Sequence, residues 1–264
     1  MCTVTSNLEV MPGTYLMWIE APDIAATAQP GQFVTVKCED FTLRRPLSVH
    51  QSSPLTGEDS CEGKIALLFR VVGKGTLWLS RRQKDEKLDI LGPFGRGFAV
   101  PSQCERLLLI AGGIGIAPLA FLMQRASRQH QITLIHGANT AAQLYAERCQ
   151  LTAVNHQAVQ CIPVTEDGTA GWKGMVTDIL PDFLDWADRV YACGPVDMYK
   201  AISLTASSGK LTAKGCQVSL EVRMGCGFGS CCGCTINTRK GLRRVCRDGP
   251  VFELDDIIWQ EVSI

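Results

Sequence analysis

Five of this chain's thirteen cysteines fall within twenty-one residues, at Cys226, Cys231, Cys232, Cys234 and Cys246. With Cys232 set aside, the spacing is C-x4-C-x2-C-x11-C. Its first three positions match the plant-type arrangement around a [2Fe–2S] cluster, in which a fourth thiolate arrives from further along the chain. Glycines stand between the thiols at 225, 227, 229 and 233. A chain wrapping a compact cluster must turn sharply and aim amide N–H groups at sulfur, which glycine allows. The expected ligands are Cys226, Cys231, Cys234 and Cys246. Cys232, packed between two of them, is expected to point elsewhere as a spare thiol.

Two other chemistries use clustered cysteines. A structural zinc site usually takes two short C-x2-4-C knuckles, and this stretch offers one C-x2-C step and a lone distal cysteine. Disulfides suit small domains in oxidising compartments. The other eight cysteines are scattered with no repeated spacing, which fits reduced, cytoplasmic thiols. Spacing favours the iron–sulfur reading over both.

The rest of the chain narrows the function classes. It has 264 residues, 26 basic and 26 acidic, and 46% apolar content. That is enough for two ordinary domains, or one with small additions, and a real core, and it lacks the basic excess that steers nucleic acid. The opening M-C-T-V-T-S-N-L-E-V has neither a basic start nor an apolar h-region, so no secretory leader is expected. No apolar run approaches the ~20 residues of a membrane helix.

Three rhythms divide the chain. Residues 1–101 alternate β-rich runs with turns (F-V-T-V-K-C, P-L-S-V-H, I-A-L-L-F-R-V-V, K-L-D-I-L-G-P-F-G), predicting a small antiparallel barrel. The polar run 51–63 reads as a hairpin loop. Residues 102–215 alternate buried strands (R-L-L-L-I-A, I-T-L-I-H-G-A, V-Q-C-I-P-V, R-V-Y-A-C-G-P) with helical stretches, including one expected over 141–150. That pattern predicts a parallel α/β sheet with its ligand at the strand C-terminal ends. Residues 216–264 form the cysteine-rich module. The fold class is therefore multidomain α+β: antiparallel barrel, parallel α/β domain, small C-terminal [2Fe–2S] domain.

Several motifs carry ligand chemistry. I-A-G-G-I-G-I-A-P at 110–118 runs a buried strand through a glycine turn (Gly112, Gly113, Gly115) into a helix N-terminus, whose amides favour a pyrophosphate. It is not the G-x-G-x-x-G fingerprint. A later strand ends in A-C-G-P, Cys193–Gly194–Pro195, before V-D-M-Y-K. Earlier come R-R-P-L-S-V at 44–49 and V-V-G-K-G-T at 71–76; an arginine fork suits phosphate oxygens. Taken singly, each could be ordinary: a solvated arginine pair, a common turn, a small residue at a strand end.

In this order, G-G-I-G-I-A-P … C-G-P-V-D-M behind R-R-P-L-S resembles the ferredoxin–NADP reductase superfamily. The short module with M-G-C-G-F-G-S-C-C-G-C and C-R-D-G-P-V-F resembles, more narrowly, the electron-transfer subunits of two-subunit (class 1B) dihydroorotate dehydrogenases. The likeness spans essentially the whole chain. It implies FAD on the barrel, with Arg45 on a phosphate, Pro46, Leu47 and Ser48 along the isoalloxazine, and Gly73, Lys74, Gly75 and Thr76 near the pyrophosphate. NAD would lie at Gly112, Gly113, Gly115, Cys193, Gly194 and Pro195, with Cys193 near the nicotinamide ring. A separate FMN-containing catalytic subunit would complete a heterotetramer of two copies of each, serving pyrimidine (UMP) biosynthesis.

Electron counting orders the cofactors. Nicotinamide exchanges a hydride and a cluster one electron, so the flavin, which does both, lies between them. No acid–base catalyst for dihydroorotate is expected on this chain. His50, His130, His136 and His156 show no catalytic spacing and read as surface or structural residues. Asn139 follows the second strand of the α/β unit with no cation until Arg148, which favours NAD over NADP. The uncharged loop around Phe228 fits a stable partner interface. Alternatives are the small subunit of a related NAD(P)H:ferredoxin or sulfide-type flavin oxidoreductase, a redox sensor without turnover, and a zinc-binding interaction module.

Overall fold

The computed structural model describes residues 1–39, 41–53, 63–103, 105–145, 159–206 and 215–262. Its first unit is a near-closed antiparallel barrel. The strands are β1 (Cys2–Met11), β2 (Thr14–Glu20), β3 (Phe33–Val36), β4 (Arg45–Ser53), β5 (Lys64–Arg70), β6 (Lys87–Leu88) and β7 (Ile90–Phe94), in the order β6-β1-β2-β5-β4-β3-β7. Helix α1 (Pro22–Thr27) follows β2 and α2 (Lys74–Ser80) follows β5. Val4, Met17, Ile19, Val34, Val36, Val49, Ile65 and Leu67 fill the interior, from strands whose alternating residues face inward.

The expected loop over 51–63 begins later than its polar composition suggests. Gln51 and Ser52 are buried in β4, opposite Ala66 and Ile65. Their polarity is absorbed: Ser52 Oγ donates to Ala25 O (2.9 Å), and Ser52 N and O pair with the Gln124 amide (both 3.0 Å). Residues 54–62 lie outside the described residues.

The second unit contains β8 (Arg106–Gly112), α3 (Ile116–Ala126), β9 (Gln131–Ala138), β10 (Val159–Thr165), β11 (Trp172–Lys173), α4 (Val176–Leu184), β12 (Arg189–Cys193) and α5 (Val196–Ala206). Strand β8 alternates between two cores. Leu107 and Leu109 face α3, while Leu108 and Ile110 face α4 and α5. Helix α3 is buried from Ile116 to Met123 because it lies between the sheet and β4. In place of the helix expected over 141–150 there is one 3₁₀ turn, Ala141–Gln143, after which Leu144 is extended. Leu144 and Tyr145 are drawn into the core instead, and residues 146–150 lie outside the described set.

The last stretch holds β13 (Cys216–Ser219), the hairpin β14 (Thr235–Thr238) and β15 (Gly241–Arg244), α6 (Val245–Asp248) and β16 (Val251–Glu253). Strand β13 adds parallel to β12, and β16 pairs antiparallel with β13. The second sheet thus runs β11-β10-β9-β8-β12-β13-β16. The cysteine module is therefore anchored by two strands in the neighbouring sheet. Chain direction around β8 matters most for function: β9 and β10 lie to one side, β12 and β13 to the other. A crevice at such a switch point, outside the strand C-terminal ends, is where α/β sheets bind ligands. Among the described residues no helix is long and apolar enough to cross a membrane.

Candidate cofactor sites

The switch point is built from glycine backbone. A Cβ on Gly115 would overlap the Cys193 carbonyl, and one on Gly112 would meet Pro195 Cδ at 2.7 Å and Met198 Sδ at 3.0 Å. Gly194 faces Gly112 Cα and Met198 in the same way. These glycines let the ends of β8 and β12 close on each other. Gly113 differs: its φ of +55° needs glycine, and a Cβ there would project into open space. Gly113 is thus the open position of the turn, while Gly112, Gly115, Gly194 and Pro195 shape it. The Gly194 amide donates to Tyr199 Oη (2.8 Å), so it is already used within the protein.

Cys193 is half-buried at the end of β12, its Sγ 3.6 Å from Ser219 O. Burial pushes its thiol up to about 12, with Glu221 adding to the rise, so it stands as a neutral thiol. Tyr199 Oη donates to the same Ser219 carbonyl (2.6 Å), and its ring packs 5.2 Å from Trp259. One tyrosine therefore ties the crevice loop to the strand that leads into the cysteine loop. At the far end of the crevice, exposed Asn139 accepts the Asp167 amide on its carbonyl (3.2 Å). Asp167 Oδ1 accepts from Thr169 Oγ1 (2.7 Å) and Thr169 N (2.9 Å), which hold its carboxyl below the usual range. Arg148 lies outside the described residues.

On the barrel, β4 changes character midway. Arg45, Pro46, Leu47 and Ser48 are half-exposed, and the next four residues are buried. Leu47 packs toward the barrel core; Pro46 and Ser48 alternate to the other side. The Arg45 guanidinium stands over the start of α2, where a Cβ on Gly75 would meet its Nε at 2.5 Å. It also lies 5.3 Å from the Phe41 ring centroid. Gly73 and Lys74 are exposed there, and Thr76 Oγ1 accepts from the Val72 and Gly73 amides (2.9 and 3.2 Å). An arginine fork beside an open glycine turn and a half-uncovered strand fits a phosphate-bearing planar ligand.

The cysteine sulfurs come as two pairs. Cys226 N lies 3.4 Å from Cys231 Sγ, while Ser230 N and Cys231 N point at Cys226 Sγ (3.2 and 3.4 Å). Cys246 N points at Cys234 Sγ (3.4 Å). Cys226 and Cys231 lie toward the surface; Cys234 and Cys246 are buried. Partial burial pushes the Cys226 thiol up, but amides of Cys231, Phe228 and Ser230 outweigh it and bring it down to about 6. Burial and the neighbouring Cys234 push Cys246 up to about 12. Among the described residues no three ligating side chains converge as a nest for one ion; two thiol pairs suit a two-iron cluster better than a single tetrahedral zinc. Cys232 is exposed at φ +57° and takes part in none of these contacts.

This loop packs against the barrel. A Cβ on Gly227 would meet Thr35 Cγ2 at 2.7 Å, and Phe228 lies 6.4 Å from Phe94, which lies 6.0 Å from Phe33. Phe33 and Thr35 are the β3 partners of Ser48 and Pro46. Thr35 Oγ1 is buried with no partner among the described residues, an orphan at the junction of the two cradles. The G-P-F-G-R-G-F stretch docks on the second cysteine segment, with Arg96 bridging to Pro250.

Two family models match: the iron–sulfur cluster binding domain of dihydroorotate dehydrogenase B over residues 221–258, and an oxidoreductase NAD-binding domain over 109–203. The electron transfer subunit of dihydroorotate dehydrogenase B (NAD(+)) from Desulforamulus reducens is 39% identical, covering 95% of each chain. This chain belongs to that family of electron transfer subunits. A second member, from Caldanaerobacter subterraneus subsp. tengcongensis, is 34% identical over 97% of both chains. The family fold extends to an NADH-dependent reduced ferredoxin-NADP oxidoreductase studied for flavin-based electron bifurcation (27% identity, TM-score 0.84, covering 99% of this chain and 91% of that one). It also matches a Neisseria gonorrhoeae ferredoxin NADP+ reductase (17% identity, TM-score 0.63, covering 78% and 89%), a likeness of fold alone. As in the rest of the family, this chain is an oxidoreductase subunit with an NAD-binding and an iron–sulfur-binding domain.

Spacing assigns the histidines no function. His50, His130 and His136 are buried, which removes the surface reading for them; His156 lies outside the described residues. No sequence motif marks Tyr199, Thr35 or Asp167 either. Tyr199 was legible only as a helical residue after C-G-P, and its hydroxyl contacts need the fold.

Proposed function

We propose that this chain carries electrons from an FMN-containing dihydroorotate dehydrogenase catalytic subunit to NAD+ in pyrimidine biosynthesis. When bound, the cluster supplies one-electron steps, the nicotinamide a hydride and the flavin both, giving the order partner FMN, [2Fe–2S], FAD, NAD+. Cys226, Cys231, Cys234 and Cys246 hold the cluster. Arg45 with Gly73, Lys74, Gly75 and Thr76 binds the FAD phosphates, and Pro46, Ser48 and the Leu47 backbone line its ring. Gly113 opens the NAD crevice, and Cys193 contributes a neutral thiol at its wall.

One observation carries the reading most: the cysteine loop rests on β3, the strand next to the flavin strand β4, through Gly227–Thr35 and Phe228–Phe94. That contact supports a one-electron site within reach of the flavin, and the exposed Cys231 beside half-exposed Cys226 supports a second approach to it. Phe228, 54% exposed, belongs to the surface that meets the catalytic subunit, in an assembly of two copies of each chain. The units follow the boundaries 1–101, 102–215 and 216–264, and the compartment is the cytoplasm. The likeness to the ferredoxin-NADP oxidoreductase favours a second reading, a subunit of such an enzyme. Co-purification of the complex with visible spectra tests both. Flavin and cluster bands that bleach on adding dihydroorotate support the first; bleaching by NADH with none by dihydroorotate overturns it.

A further inference from the structure

The barrel and the α/β unit meet along β4 and α3, and one buried side chain spans the seam next to both ligand motifs. His50 lies two residues beyond Ser48; Ala117 lies two residues beyond Gly115. His50 Nδ1 is 3.0 Å from Ala117 O and Nε2 is 2.7 Å from Tyr145 Oη. A carbonyl only accepts, so Nδ1 carries the proton and Nε2 accepts from the tyrosine hydroxyl. Both side chains are fully enclosed (0% and 1% exposed) and meet edge-to-face at 5.1 Å. A ring with both nitrogens satisfied and no room to turn has one orientation. It therefore fixes the first turn of α3, and with it the glycine turn, against the flavin strand.

We infer that His50 is the positioning residue for hydride exchange between the nicotinamide and the flavin. The inference rests on the function proposed above. Hydride exchange needs the reacting atoms about 3–3.5 Å apart, and a misplacement of about 1 Å costs on the order of 10²-fold in rate. The link from Ser48 to Gly115 through His50 passes over two residues, one hydrogen bond and two residues, with no loop in it. The Gln124–Ser52 amide pair crosses the same seam, but two residues further along β4 and most of a helix away from the glycine turn. It holds the units together without setting the turn.

The test uses the complete complex in rapid-mixing reduction by NADH, together with hydrogen exchange of the peptides covering 48–52 and 113–120. His50→Leu is expected to slow flavin reduction at saturating NADH by about 10–100-fold and to raise exchange in both peptides. NADH affinity should change by less than about threefold and the reduced-cluster EPR signal should persist, because the crevice glycines and the thiols are untouched. Tyr145→Phe keeps the Ala117 bond and loses one tether, so a smaller slowing of the same kind is expected; it decides the matter should His50→Leu not fold. Gln124→Ala should raise exchange near Ser52 yet leave the saturated rate within about twofold. Equal slowing by Gln124→Ala and His50→Leu would show a merely structural seam and overturn the inference, as would a folded His50→Leu protein with an unchanged rate. A wild-type complex whose flavin NADH does not reduce would instead sink the proposed function.

Discussion

Cys232 shows how one residue's surroundings separate function from packing. Its neighbours at 231 and 234 have sulfurs paired with other thiols or their amides, while Cys232 sits exposed in a left-handed turn that presents its carbonyl to Thr235. Cys232→Ser should retain full iron and labile sulfide and cost little stability. Cys226→Ser or Cys234→Ser should lose the cluster's visible bands, and iron analysis of the purified proteins distinguishes the cases. Histidine gives a second prediction at this scale. Burial lowers both His50 and His136 to about 4 from an ordinary 6.5. A group depressed in the folded state favours the unfolded chain once that chain can protonate. Stability contributed by the neutral rings is thus fully present above about pH 6.5 and declines as pH falls toward 4. Denaturant unfolding at stepped pH should show that fall, and His50→Leu should flatten it. Candidate ligands with fixed spacing are legible from the chain alone: the four thiols and the arginine before P-L-S. His50 is not, because its role depends on a tyrosine 95 positions away.

At the scale of elements, the glycine turn divides its labour in a way that spacing cannot reveal. Gly115→Ala would drive a methyl into the Cys193 carbonyl, and overpacking of this kind costs about 1–3 kcal/mol. Gly113→Ala has room, so it should cost only the left-handed backbone penalty of about 1–2 kcal/mol while weakening NADH binding by placing a methyl in the open crevice. Denaturation and NADH titration of the two variants should rank them oppositely. The loops after β9 and β10 support NAD over NADP. Glu166 and Asp167 stand beside Asn139 there, and their negative charge disfavours a 2′-phosphate. Flavin reduction should therefore be at least tenfold less efficient with NADPH, and comparable efficiency would contradict this. β-rich and continuously apolar runs located β3, β4, β5, β6, β7, β8, β9, β10 and β12 in the sequence. The polar end of β4 reads as loop in the sequence because its polarity is satisfied only by hydrogen bonds with α1 and α3, and β11 and β16, two and three residues long, carry too few positions for a period.

Across the whole molecule, the cysteine module is less separate than its composition suggests. Two of its strands extend the second sheet, Cys234 and Cys246 share a core with Val190, Tyr199 and Ile202, and its outer loop leans on the barrel. Such placement makes the module the junction of the other two units, with Cys231 exposed and Cys226 half-buried at its outer edge. The sequence order of barrel, α/β unit and thiols was readable at once, but the contact of the thiol loop with β3 was not, since Gly227 and Thr35 stand nearly two hundred positions apart. On the proposed function, electrons cross this junction between a dihydroorotate-oxidising partner and NAD+. Its most direct test is anaerobic EPR of the purified complex. Dihydroorotate should produce the signal of a reduced [2Fe–2S] cluster, and NAD+ added afterwards should abolish it. A cluster that stays silent to dihydroorotate, or one that NAD+ cannot reoxidise, would rule out this route for the electrons.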